Sequence, residues 1–147
     1  MDDNVRWRWY TPDVIRGMVR DLAEREMRHR IAAARILASL AGRCSDNRRR
    51  QNLALLAEHF RRRAERAAAR IHRMTLPEES ALDCLWRFAL VQLGPTIALQ
   101  WIAWQERMDL RYKRHIIEVA LRLGRPVQLV RCELGQPSER DSRPPAN

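Results

Sequence analysis

The sequence predicts an all-α protein, a single-domain antiparallel up-and-down four-helix bundle. Apolar residues recur at helical spacing in four segments, and short stretches rich in Gly, Pro, Ser or Asp separate them. The 147 residues include only five glycines and long runs of Ala, Leu, Arg and Glu, which favour helix over strand. We therefore expect an N-terminal arm over 1–11, the bundle over 12–123, and a C-terminal segment with a disordered tail over 124–147.

The first helix is predicted from Pro12 to about Ala41, with Gly42 as a left-handed cap. Its core-facing stripe is formed by Leu22, Glu26, His29, Ala33, Ile36 and Leu40. A carboxylate and an imidazole therefore stand in the middle of an otherwise apolar face. Because burying either group alone costs a few kcal/mol, polar groups on another helix must face them.

The second helix follows the capping sequence Ser45-Asp46-Asn47. Its stripe consists of Leu53, Leu56, Ala57, Phe60, Ala64, Ala67, Ile71 and Met74, with no carboxylate among them. Glu58 and Glu65 fall to one side, among Arg61, Arg62, Arg66 and Arg70. We expect ion pairs within the helix there.

The third helix is predicted to start within Thr75-Leu76-Pro77-Glu78-Glu79, with Pro77 and the two acids in its first turn, and it is apolar on two sides. One face carries Leu82, Leu85, Trp86, Ala89, Leu90 and Leu93, and the other carries Cys84, Phe88 and Val91. Such a helix is either central in the bundle or covered by another chain. This pattern indicates a homo-oligomer assembled through the third helix.

The fourth helix is predicted from Gly94-Pro95 to about Leu123. Three polar residues interrupt its apolar stripe at mid-helix, namely Gln105, Asp109 and Tyr112. Glu106 is expected to point away from that stripe.

The spacing Glu26-Met27-Arg28-His29, together with Asp109-Leu110-Arg111-Tyr112 at the corresponding depth, resembles the ferritin-like superfamily. Bundles of that superfamily hold two metal ions between mid-helix carboxylates and Glu-x-x-His motifs. The resemblance implies a ferritin-like arrangement of helices and a metal site at Glu26, His29 and Asp109, for iron, manganese or zinc. Because a di-iron site uses about four carboxylates and two histidines, the implied site is degenerate or weak.

Three hypotheses account for the polar core. In the first it is a structural hydrogen-bonded network, neutralised by Arg63. In the second it is a single weak metal site, and in the third it is a pocket for a small ligand. The residues of that network are Glu26, His29, Gln105, Asp109 and Tyr112.

The formal net charge is +10, and all the basic residues except Lys113 are arginines. Arginine forks bind phosphates and carboxylates, which indicates nucleic acid or an anionic surface as partner. The alternative is a compositional bias, with arginine filling solvated helix faces. The arm over 6–9 alternates Arg with Trp, and it either stacks on such a partner or folds back to cap the bundle.

Several classes of protein are disfavoured. The three cysteines form no Cys-x-x-Cys pair, so we expect reduced thiols and a cytoplasmic location. Phe88 to Trp104 carries no charge, but Gly94-Pro95 breaks it, so no transmembrane segment is expected. Loops for nucleotide phosphates and nucleophile elbows are absent from the sequence.

These observations favour a ferritin-like bundle that is more an oligomeric interaction or structural module than an enzyme. The alternative is an arginine-rich bundle that binds nucleic acid, and the third hypothesis is a metal-dependent oxidase.

Overall fold

The computed structural model of the chain describes residues 12–122. Within them lie four helices and no strand: α1 (Pro12–Arg43), α2 (Asn47–Arg70), α3 (Ala81–Leu93) and α4 (Pro95–Arg122). The prediction of an all-α four-helix bundle is confirmed. The predictions for the arm over 1–11 and for the segment over 124–147 lie outside the described residues.

Local sequence explains where most of the helices begin. The Asp46 side chain caps α2 by accepting hydrogen bonds from the backbone N–H groups of Arg48 and Arg49, at 2.9 and 3.3 Å. Ser80 and Asp83 form a capping box at the start of α3, so this helix begins at Ala81 and the predicted start at Pro77 is wrong. Gly94, with φ of 103°, separates α3 from α4. That backbone conformation suits glycine because it has no Cβ.

Two predicted helix ends are wrong. Helix α1 continues through Gly42 to Arg43, so this glycine is helical instead of forming a left-handed cap. Helix α2 ends at Arg70, before the predicted Met74. The chain turns at His72, which takes a φ of 55°. Histidine is one of the residue types that reach this region most readily after glycine.

The chain divides into two compact units, and the larger comprises Ala23–Asp109. Helices α1 and α2 are antiparallel, since Arg70 at the end of α2 contacts Glu26 in the first half of α1. All four helices contribute to one apolar cluster in this unit, which includes Leu37, Phe60, Leu90 and Ile102. Truncating a fully buried leucine such as Leu37 to alanine is expected to destabilise the fold by about 2–5 kcal/mol.

The second unit comprises Met1–Leu22 and Leu110–Asn147, of which 12–22 and 110–122 are described. Its apolar cluster joins the beginning of α1 to the end of α4. The buried members are Ile15, Leu22, Ile116, Val119 and Ala120. Tyr112 is partly buried and packs against this cluster.

Helix α3 is less buried than a central helix would be. Only Leu90 and Val91 are buried. The large side chains that remain exposed are Leu82, Leu85, Trp86, Phe88 and Leu93. Of the two alternatives that the sequence left open for this helix, the exposed side chains do not support the central one. A helix that is apolar on two sides gives no periodic indication of which face packs inward.

No helix within residues 12–122 is both long enough and apolar enough to cross a membrane.

Candidate functional site

Glu26 lies at the centre of a buried ionic network in the larger unit. Only 3% of this residue is exposed. Its Oε2 accepts a hydrogen bond of 3.2 Å from Arg30, one turn further along α1, and another of 3.3 Å from Arg70 of α2. Arg30 is itself 8% exposed. The carboxylate is therefore neutralised by guanidinium groups from two helices, as a buried charge requires.

Arg30 also approaches Glu106 of α4, with 3.7 Å between Arg30 Nε and Glu106 Oε1. Arg63 of α2 donates a hydrogen bond of 2.9 Å to the other oxygen of Glu106. The expectation that Glu106 points away from the core is wrong. Its Cα lies beside the apolar stripe, but its side chain is long enough to reach two arginines. Arg63 therefore belongs to the network because it binds Glu106.

The arginines of this network remain cations. Burial lowers the pKa of Arg30, whereas the carboxylate of Glu26 raises it. Arginine starts from so high a pKa that its guanidinium stays protonated in proteins. Arg30, Arg63 and Arg70 thus provide three positive charges opposite the two carboxylates of Glu26 and Glu106.

His29 and Asp109 form the second part of the site, with 2.9 Å between Nδ1 and Oδ2. Asp109 is buried, and 25% of the His29 side chain is exposed. A carboxylate accepts hydrogen bonds, so Nδ1 of His29 is the donor in this pair. The other oxygen of Asp109 lacks a hydrogen-bond partner among residues 12–122, and the nearest cation is Arg25, at 4.0 Å.

Of the five residues predicted for the polar core, the structure brings His29 into contact with Asp109. It places Glu26 with arginines instead of with the other predicted residues. Gln105 belongs to the same unit, where its buried Oε1 has no hydrogen-bond partner among the residues that the structure describes. Tyr112 belongs to the other unit.

The donor groups do not fit the dinuclear metal centre that the ferritin-like resemblance implies. Such a centre needs carboxylates that face one another with few cations nearby. Here Glu26 and Glu106 face arginines. Over residues 12–122, no group of three or more His, Cys, Asp or Glu side chains is arranged to hold a metal ion. We therefore derive no chemistry through a metal at this site.

Three members of the network were missed in the sequence: Arg30, Arg70 and Glu106. One indication was available, because Arg30 follows Glu26 at the i+4 spacing at which a helix pairs opposite charges. Arg70 offered no such indication, since its contact with Glu26 spans 44 residues of sequence.

The ion pairs expected within α2 are present for Arg61 and Arg62, whereas Arg66 donates to the carbonyl oxygen of Arg62 and Arg70 pairs with Glu26 of α1. Arg61 donates to both Glu58 and Glu65, and Arg62 donates to Glu58. The hydrogen bonds from Arg61 and Arg62 lower the pKa of Glu58 to about 2. The pairs of Glu58 and Glu65 lie on the surface and do not belong to the buried network.

A cleft of about 570 Å³ lies beside this network in the larger unit. His29 and Gln105 both line it. It is therefore the place where the polar core meets solvent.

No protein-family model matches the chain, and neither the curated proteins nor the solved structures contain a significant match.

Proposed function

We propose that this protein is a non-enzymatic helical module that associates with a second copy of itself through α3. In this proposal the helices have a ferritin-like arrangement, and an arginine–carboxylate network occupies the place of a metal centre. The exposed apolar surface of α3 is the observation that carries the proposal.

That surface is formed by large side chains on the side of α3 away from the core. Leu82 is 76% exposed, Leu85 67%, Phe88 59% and Leu93 61%. We call these four residues the α3 face. Monomeric proteins rarely expose contiguous apolar patches of this kind without a binding role. Helix α4 adds Ile97 and Trp104, which are 44% and 53% exposed.

Charge favours a second copy as the partner. The chain carries a net charge of +10, so two copies repel each other over most of their surfaces. Residues 88–105 contain no charged side chain. Of the two charged residues in α3, Arg87 is paired with Glu79 and Asp83 is used in the capping box. Two copies can therefore meet through this face without opposing their positive charges, in the isologous manner of a twofold dimer.

The exposed apolar area is also close to what a protein–protein interface needs. A standard interface hides about 800 Å² on each partner. Six large side chains that are 44–76% exposed supply most of that area, at roughly 100 Å² each.

The proposal is tested by multi-angle light scattering over a range of protein concentrations. We expect a dimer for the unaltered protein and a monomer for the double variant Leu85→Glu, Phe88→Glu. Leu55→Glu is the matched control, because Leu55 is 71% exposed but lies on α2; this variant should remain dimeric. Circular dichroism checks that all three proteins have the same helix content. A monomeric unaltered protein up to about 100 µM would overturn the proposal.

A nucleic-acid-binding bundle is the second candidate. It is supported by Arg48, Arg50 and Arg66 of α2, which are exposed and form no ion pair with a carboxylate within residues 12–122. Binding through phosphates should weaken log-linearly with salt concentration. Fluorescence anisotropy with labelled duplex and single strands measures this slope. Absence of binding at low salt would remove the second candidate.

A further inference from the structure

The cleft of about 570 Å³ in the larger unit has the size of a small-molecule site, which typically encloses about 300–1,000 Å³. Residues from α1, α3 and α4 and from the connection 71–80 line it. Ile31 and Ile36 are buried at its floor, and Trp101 is half-buried in its wall. Trp86 contacts Trp101 with 6.1 Å between ring centroids. The cleft therefore combines an apolar floor with two indole rings.

Two polar groups in the cleft are available to a ligand, a buried acceptor without a hydrogen-bond partner and a guanidinium without a carboxylate partner among the described residues. The Oε1 atom of Gln105 is buried and accepts no hydrogen bond from any residue that the structure describes. Arg35 is half-buried, and its guanidinium donates a bond of 2.7 Å to the carbonyl oxygen of Pro77. No carboxylate within residues 12–122 forms an ion pair with Arg35. A hydrogen-bond donor and an anion would satisfy these two groups.

The charged side chains that line the cleft are four arginines, Arg28, Arg35, Arg73 and Arg87, and three carboxylates, Glu78, Glu79 and Asp83, so positive charge is in excess by one. Glu79 is engaged by Arg87 at 2.7 Å, and Asp83 by the hydroxyl of Ser80 at 2.7 Å. At the rim, Arg28 and Arg73 are exposed and form no ion pair with any described carboxylate.

We propose that this cleft binds a small aromatic carboxylate that bears a hydroxyl or amino group. The carboxylate pairs with Arg35, and the ring packs against Trp101 and Trp86. The hydroxyl or amino group donates to Oε1 of Gln105.

Isothermal titration calorimetry tests the chemical class with four probes. The first two are 4-hydroxybenzoate and 4-hydroxyphenylacetate, which carry both polar groups at different separations. Benzoate lacks the donor and 4-hydroxybenzamide lacks the anion. We expect at least one of the first two to bind below about 1 mM, and benzoate and the amide to bind at least about tenfold more weakly. Binding of the amide as tight as that of the acid would overturn the proposal.

Variants of the cleft residues test the location. Gln105→Leu and Arg35→Gln should each weaken binding by about tenfold or more. Gln100→Leu and Arg107→Gln are the matched controls, since both residues are exposed on α4 and neither lines the cleft. Thermal unfolding checks that each variant is folded. If Arg35→Gln does not fold, Gln105→Leu and the benzoate comparison carry the test.

Unchanged affinity in the folded cleft variants would overturn the proposal. So would failure of both hydroxylated acids to bind at about 5 mM. This inference does not rest on self-association. The variant Leu85→Glu, Phe88→Glu should bind the acid with unchanged affinity even as a monomer, so the two proposals fail separately.

Discussion

Arg30 lies one helical turn after Glu26, and its guanidinium donates a 3.2 Å hydrogen bond to the buried carboxylate of that residue. Arg70 donates to the same oxygen from the end of α2, at 3.3 Å. This relationship explains how a carboxylate is accommodated in the middle of an apolar stripe. It also leaves that carboxylate bound to cations from two helices.

The first prediction concerns the stability that depends on this pair. Glu26→Ala should lower the free energy of unfolding by about 3–5 kcal/mol, because the buried Arg30 loses the nearer of its two carboxylates and only Glu106, at 3.7 Å, remains. Urea denaturation measures the effect. Glu118→Ala is the matched control. It breaks the exposed i,i+4 pair with Arg122 and should change stability by less than about 1 kcal/mol.

Replacing both members of the pair should recover part of this loss. The double variant Glu26→Leu, Arg30→Met removes the buried charges together, and apolar residues of similar volume often replace a buried pair with little loss. The same urea experiment compares it with Glu26→Ala. A double variant as unstable as Glu26→Ala would show that the stranded charge is not the cause.

The second prediction concerns metal content. Protein purified without chelator should hold far less than one iron, manganese or zinc ion per chain, because Glu26 and Glu106 already bind arginines. Elemental analysis of the unaltered protein and of His29→Ala, purified side by side, provides the measurement. About one ion per chain in the unaltered protein, lost in His29→Ala, would contradict the arginine-bound arrangement.

The third prediction concerns acid. Hydrogen bonds from Arg61 and Arg62 lower the pKa of Glu58 to about 2. The folded pKa is below the ordinary value of 4.5, so the stability that this pairing contributes is fully present above about pH 4.5. It is lost as the pH falls through about 2. An NMR titration of the side-chain carboxyl carbon should therefore show Glu58 titrating near pH 2.

The variant Arg61→Gln, Arg62→Gln is the comparison for that titration. It should return the pKa of Glu58 to near 4.5, because it removes both donors. A midpoint near 4.5 in the unaltered protein would show that these pairs do not persist in solution.

The helical periodicity of the sequence was sufficient to predict the four helices and the burial of Glu26 and Asp109. Both carboxylates lie on apolar stripes, where the 3.6-residue period indicates an inward direction. For α3 the sequence left two alternatives open, a central helix or one covered by another chain. Apolar residues lie on two of its sides, so periodicity does not distinguish Leu90, which is buried, from Leu85, which is exposed.

The ionic partners in the core could not be predicted in the same way. Periodicity locates Cα atoms, whereas Arg70 and Glu106 reach the network through long side chains from positions beside the stripes. Their partners are also distant in sequence. Glu26 is 44 residues from Arg70, and Arg63 is 43 residues from Glu106. A single sequence does not show which of its distant charged residues pair with each other; it shows only that their charges are opposite.

Because the core contains many small residues, the ionic network has a further effect, on the position of α4 along its axis. Ala33 and Ala64 are almost fully buried in the cluster that also contains Ala98 and Ile102 of α4, and a methyl group does little to fix the position of a neighbouring helix along its axis. A slip of α4 by one turn, about 5.4 Å, would preserve much of this apolar packing. It would also move Glu106 out of reach of Arg63, to which it now lies at 2.9 Å. We therefore expect the charges to select a single helix register among those that hydrophobic contact alone would permit.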